Sequence, residues 1–214
     1  MSEDSRRLVV DVDALVKLAH WSLLGELEGA TGIPPERQAT LESIRFRAAR
    51  RDRKLFRDAA VADYLAVALS QFGAAWGPDA EVVTRLQGIA GLDAGEITLI
   101  AMLCSNPKAV LVTGDKRAIR ALAAAGLEDI VERVAGRIAC LEQVVLSALD
   151  RLGVGTLASS IEPHRDLDVA VRCAVPRPPY AVELEVRKGL LSYIEDLRKH
   201  APSLLYEHAP QPDP

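Results

Sequence analysis

The chain has 214 residues, with 26 Lys+Arg against 30 Asp+Glu and a formal net charge of −4. That length suits one domain with an extension rather than two complete domains; 49% hydrophobic and 26% charged residues exclude a globally disordered chain, which cannot bury enough apolar surface to order itself. Mild acidity gives no sign of a nucleic-acid or anionic-membrane partner, and 4% aromatics disfavour a fold that stacks single-stranded bases on aromatic platforms.

Leu8-Val9-Val10 is a short apolar run ending at Asp11, and helical periodicity follows from Ala14 to Glu28. A run without alternation that feeds directly into a helix suits a parallel strand covered on both faces. Pro34-Pro35 marks a loop. Helices are then expected over residues 36–53 and 55–72, a break at Gly73–Pro78, and a short helix over 79–86. Gly91–Glu96 is a turn into a helix over 97–104 that Asn106-Pro107 stops. Ala109–Thr113 is the clearest strand; Gly114-Asp115 and an Ala-rich helix over 116–125 follow it, with Gly126 as its C-terminal stop. Arg137–Leu141 is a weaker strand candidate before a helix over 142–152. Alternating strands and helices predict an α/β fold, a three-layer α/β/α sandwich around a central parallel sheet, over residues 1–152. Residues 153–214 read as a helical extension: a helix over 181–200 interrupted by Gly189, then a fraying proline-rich tail.

Cys104, Cys140 and Cys173 are an odd number, widely spaced, which fits small hydrophobes in a reduced core better than a disulfide framework or a zinc site. The opening Met-Ser-Glu-Asp-Ser-Arg-Arg is not a signal peptide. The longest apolar stretch, Ala59–Trp76, is interrupted by polar residues and falls short of the roughly twenty apolar residues of a membrane span. A cytoplasmic protein with no membrane partner is expected. His20, His164, His200 and His208 have no ligand-spaced Cys or carboxylate beside them.

In an open parallel sheet, ligands collect outside the carboxyl ends of the strands. Asp11 and Asp115 fall there, and adjacency of their strands would bring two carboxylates to one crevice. Such groups repel unless a cation bridges them, and an all-oxygen set suits Mg²⁺ or Mn²⁺. Either residue would equally serve as a helix N-cap. Glu96, with Asp93, fits a capping box, yet the helix it starts is apolar nearly all round, so an unpaired carboxylate there would be costly.

These segments, Leu8-Val9-Val10-Asp11-Val12-Asp13, Gly95-Glu96-Ile97-Thr98-Leu99-Ile100-Ala101 and Leu111-Val112-Thr113-Gly114-Asp115, resemble those of the PIN-domain ribonucleases over residues 7–148. The resemblance implies hydrolysis of RNA phosphodiester bonds by Mg²⁺ or Mn²⁺ held on carboxylates, with a metal-bound water as nucleophile. It implies Asp11, Glu96 and Asp115 as catalytic metal ligands, and Thr113 as a contact to phosphate or to a ligand. Asp13 stands where the family commonly has Asn and adds negative charge. Glu42 best matches the family's further acid, as a catalytic ligand or water-orienting group, with Asp58 and Asp63 weaker matches.

Arg45, Arg47, Arg50, Arg51, Arg53, Lys54 and Arg57 stand against Asp52 alone, a +6 segment that leaves −10 on the other 201 residues. Arginines starting one turn after Glu42 are an RNA-binding candidate, since guanidinium suits phosphate; a solvated helix face is the plainer reading. A homodimer, for which the long C-terminal helix offers a surface, and a protein inhibitor are further partners compatible with this class. The alternatives are a catalytically inactive PIN-fold RNA-binding or assembly module and a haloacid-dehalogenase-like phosphatase, the latter suggested by Asp11-Val12-Asp13 and Thr113-Gly114-Asp115.

Overall fold

The structure is a computed structural model that describes residues 6–207; residues 1–5 of the acidic opening and 208–214 of the proline-rich tail lie outside the described residues. Strands β1 (Arg7–Val10), β2 (Gln38–Ala39), β3 (Ala109–Thr113) and β4 (Ile138–Cys140) form one sheet in the order β2-β1-β3-β4, with every pair parallel. β1 and β3 are neighbours, in register from Arg7 opposite Ala109 to Val10 opposite Val112. The α/β class with a parallel sheet is therefore as the sequence implied.

Side chains on successive strand residues enter two different cores, as the period of two requires. Leu8, Val10, Val110, Val112 and Ala139 join the first, against α1 (Val12–His20), α2 (Glu26–Thr31), α3 (Ser43–Ala49) and α4 (Ala59–Gln71). Val9, Ala109, Leu111, Ile138 and Cys140 join the second, against α5 (Ala80–Leu86), α6 (Ala94–Ser105), α7 (Lys116–Ala123) and α8 (Glu128–Val134). Helices thus flank the sheet. α6 is buried along nearly its whole length, from Leu99 through Leu103, as its all-round apolar sequence requires.

Several element boundaries differ from expectation. The single helix anticipated over 14–28 is two, because α1 ends in a Schellman motif: Ser22 adopts φ 57, its N–H donates to Ala19 O at 3.1 Å, and Leu23 N–H donates to Leu18 O at 2.8 Å. α3 ends the same way, with Arg51 at φ 49, Arg51 N–H to Ala48 O at 2.9 Å and Asp52 N–H to Arg47 O at 3.0 Å. Residues 36–39, expected to be helical, are instead a short 3₁₀ turn and β2, which is only two residues long and carries no β-branched side chain to announce it. α8 was not anticipated either. Cys104 and Cys140 are buried as expected, but Cys173 is exposed.

Beyond β4 runs α9 (Leu141–Ile161), whose helical backbone breaks at Gly153, a left-handed position at φ 75. α10 (Val169–Ala174) and α11 (Glu183–His200) follow. Gly189 does not interrupt α11: it is a contact point, where a Cβ would sit 3.0 Å from both Cα and Cβ of Ala174 in α10. Val186 and Leu190 of α11 enter the first core, and Ile194 and Leu197 the second. After α11 the chain covers the edge of β4: Ile138 N–H donates to Leu204 O at 3.1 Å and Tyr206 N–H to Ile138 O at 2.8 Å. By length and composition alone, Leu141–Leu167 is apolar enough to cross a membrane; here it contains the break at Gly153 and the fully buried Glu142, and α9 packs on α2 and α11.

Candidate functional site

The register of β1 and β3 sets Asp11 and Thr113 side by side at the carboxyl edge. Asp11 N–H donates to Val112 O at 2.9 Å, and Thr113 Oγ1 donates to Asp11 Oδ2 at 3.3 Å while accepting from Asp115 N–H at 3.1 Å. Thr113 is thus the joint between the two aspartates. Asp11 stands at the N-cap position of α1 without a side-chain cap bond. Burial, reinforced by the charge of Asp13, pushes its carboxyl up to about 6, and the Thr113 hydroxyl offsets only part of this.

Asp115 does act as a cap. Its Oδ1 accepts from Arg117 N–H at 2.7 Å and Ala118 N–H at 3.1 Å, and its Oδ2 from the Arg117 guanidinium at 3.1 Å. Burial works against the Asp115 charge, but these donors outweigh it and hold the carboxyl below the usual range. Glu96 and Asp93 form a reciprocal capping box: Asp93 N–H donates to Glu96 Oε2 at 2.6 Å, and Glu96 N–H to Asp93 Oδ1 at 2.9 Å. Glu96 also meets the Asp115 carboxyl; burial, then the charges of Asp93 and Asp115, raise it to about 7. Asp115 keeps the charge and Glu96 takes the proton, because the Arg117 guanidinium and two α7 N–H groups donate to Asp115.

The carboxyl edge therefore joins Asp11 to Asp115 through Thr113, and Glu96 to Asp115 directly. Glu42 is not joined to them: its side chain is 67% exposed and its partner is Arg45, at 3.6 Å. Asp58 caps α4 through Ala60 N–H at 2.8 Å, and Asp63 pairs with Arg51 at 2.8 Å. Asp13 is bound to Lys17 at 2.6 Å, and Lys17 in turn to the buried Asp168 at 2.9 Å. Beside them Lys116 pairs with Glu142 at 2.5 Å, where the glutamate side chain is 1% exposed. Lys17, Lys116, Glu142 and Asp168 were missed in sequence. Lys17 carried a signal, as the lone charge in Ala14–Ala19; Asp168 lies 151 residues away from it and carried none.

Two clefts open on this edge and share Asp115 and Arg117. One, of 310 Å³, is lined by Asp93, Glu96 and Asp115 with Gly91, Leu92 and Arg117. The other, of 460 Å³, is lined mainly by cations around Gly114. A larger cavity of 520 Å³ lies elsewhere, between α9 and α11. The donors Asp11, Glu96, Asp115 and Thr113 are all oxygen and fit a hard divalent cation in kind. In spacing, no group of three or more His, Cys, Asp or Glu among the described residues is placed to hold a metal ion; the carboxylates meet as pairs.

In the basic segment, Arg45 donates to Leu69 O at 2.6 Å, Arg47 pairs with Asp52 at 2.8 Å, Arg51 with Asp63 at 2.8 Å, and Arg57 with Asp166 at 2.7 Å. Arg50, Arg53 and Lys54 are exposed. No family model matches the chain, and no curated protein or solved structure matches it.

Proposed function

We propose that the protein is a divalent-metal-dependent ribonuclease acting at the carboxyl edge of β1 and β3, on a PIN-like three-layer α/β/α sandwich. What supports the layering is the division of strand side chains between two helix-covered cores. What carries the functional reading is one electrostatic observation: Asp11 and Glu96 are raised to about 6 and about 7, first by burial and then by the neighbouring carboxylates Asp13, Asp93 and Asp115. Carboxyls crowded in this way favour a divalent ion that restores their charged form.

Asp11, Glu96 and Asp115, which stand as the pairs Asp11–Asp115, through Thr113, and Glu96–Asp115, would have to draw together to hold Mg²⁺ or Mn²⁺, which would supply an activated water and charge stabilisation. The chain's own groups do the rest. Thr113 fixes the Asp11 carboxylate, the α7 cap keeps Asp115 ionised, and Glu96, raised to about 7 without the ion, would give up its proton as the ion binds. The expected outcome with Mn²⁺ and a single-stranded oligoribonucleotide is cleavage that Asp11→Asn or Asp115→Asn abolishes and Glu96→Gln slows, the last with a higher Mn²⁺ requirement. Tight RNA binding with no cleavage at any Mn²⁺ or Mg²⁺ concentration would instead establish a non-catalytic RNA-binding module.

A further inference from the structure

We propose that the second cleft, around Gly114, is a phosphate-binding subsite beside the carboxylates. Lys17, Lys116, Arg117 and Arg120 line it against Asp13 and Asp115. Each ammonium has three N–H donors. Lys17 spends two, on Asp13 and Asp168, and Lys116 one, on Glu142. Their counter-charges Asp168 and Glu142 are 7% and 1% exposed, so the lysines are held from behind by buried carboxylates and keep unspent donors at the cleft.

Arg120 adds an independent sign. Its guanidinium pairs with Asp196 at 2.5 Å, yet its Nε is buried without an acceptor. A buried N–H of a charged group is costly to leave unmade, and a turn of the Arg120 side chain, which lines the cleft, would bring it to an oxyanion seated there. Gly114 permits the arrangement: a Cβ there would stand 2.9 Å from Asp13 Oδ2 and 3.5 Å from Lys17 Nζ, pressing on the ion pair at the cleft. Arg117 is 86% exposed on its side chain and pairs with Asp115 at 3.1 Å, a surface pair that leaves guanidinium donors for an incoming phosphate. Fork-shaped guanidinium donors together with point-charge ammoniums suit a tetrahedral oxyanion.

Asp115 and Arg117 line both clefts, so a phosphate seated here is one step from Glu96. Assigning it to the RNA strand, as the phosphate flanking the one cleaved, rests on the nuclease reading; the binding itself does not. The test is titration of the full chain in EDTA, by calorimetry, with inorganic phosphate and separately with an oligoribonucleotide. Arg117→Gln/Arg120→Gln and Lys17→Met/Asp168→Asn, the latter removing a buried pair together, are compared with the wild type, with melting temperatures confirming that each is folded. Phosphate affinity is expected to fall about tenfold or more in the arginine variant. A parallel loss of RNA affinity assigns the subsite to the substrate strand; unchanged RNA affinity assigns it to free phosphate. Absence of saturable phosphate binding, or equal affinity in all three proteins, overturns the subsite. Wild-type phosphate binding without Mn²⁺-dependent cleavage leaves the subsite standing and removes the nuclease reading.

Discussion

Asp11 is a carboxyl group that the native fold charges only reluctantly. Its ordinary value of 3.8 rises to about 6 through burial and the neighbouring Asp13. Between these values the native state binds the proton more tightly than the unfolded chain, so this group's contribution to stability is best below pH ~4. It declines as pH rises through 6 and is constant above that. The shift corresponds to about 3 kcal/mol as a ceiling. Asp11→Asn keeps a partner for the Thr113 hydroxyl and removes the charge. It is expected to raise unfolding stability at pH 8 by about 1–3 kcal/mol and to leave it nearly unchanged at pH 4, as read by urea denaturation at both values. Glu96 contributes in the same direction. Equal effects of the substitution at both pH values would mean that Asp11 is not a strained charge. Mn²⁺ at pH 8 is expected to stabilise the wild type and not the Asn variant, because a bound ion returns the carboxylate to its favoured state.

What was legible along the chain follows the range of the interaction that fixes each element. β3 and the start of α6 were readable because their signals are local: a β-branched run, and an Asp93–Glu96 pair at capping-box spacing. Asp11, Thr113 and Asp115 were each readable as residues closing the apolar runs of β1 and β3, whereas the pairing of those two strands that joins them was not. The Lys17–Asp168 and Lys116–Glu142 pairs were not, because three-dimensional packing alone brings those partners together. The ends of α1 and α3 were missed for a different reason: both carry Schellman motifs on Ser22 and Arg51, whereas glycine is the residue that advertises a left-handed stop. A non-glycine residue held there costs about 1 kcal/mol. Ser22 is exposed and its side chain has no packing role, so Ser22→Gly is expected to stabilise the protein by about 0.5–1 kcal/mol, a rise of a few degrees in melting temperature. Ser22→Val, β-branched at positive φ, is expected to lower it.

At the scale of the whole molecule, the −4 total divides into a +6 segment and a −10 remainder, and the structure divides the segment again. Arg45, Arg47, Arg51 and Arg57 are tied to carbonyls or carboxylates of the fold, and the last two reach α4 and Asp166. Arg50, Arg53 and Lys54 are exposed and make no ion pair among the described residues, and Phe46, 69% exposed, lies one helical turn before Arg50. On the nuclease reading proposed above, a single-stranded RNA reaching these residues would meet ammonium and guanidinium groups for its phosphates and one aromatic ring for a base. The two contributions separate experimentally. Every cation that neutralises a phosphate adds about 0.7 to the slope of log affinity against log salt, so Arg50→Gln/Arg53→Gln/Lys54→Gln is expected to flatten that slope by about 2. Phe46→Ala is expected to weaken binding by about 1–3 kcal/mol with the slope unchanged, because stacking releases no counterions. Arg51→Gln breaks an exposed pair between the turn after α3 and Asp63 of α4, so any effect belongs to melting temperature and is small. Fluorescence anisotropy of a labelled oligoribonucleotide in EDTA, from low to moderate salt, reads all of these. A triple variant with the wild-type slope would show that the cations on this face are merely solvated, and that any RNA contact of this protein is made elsewhere.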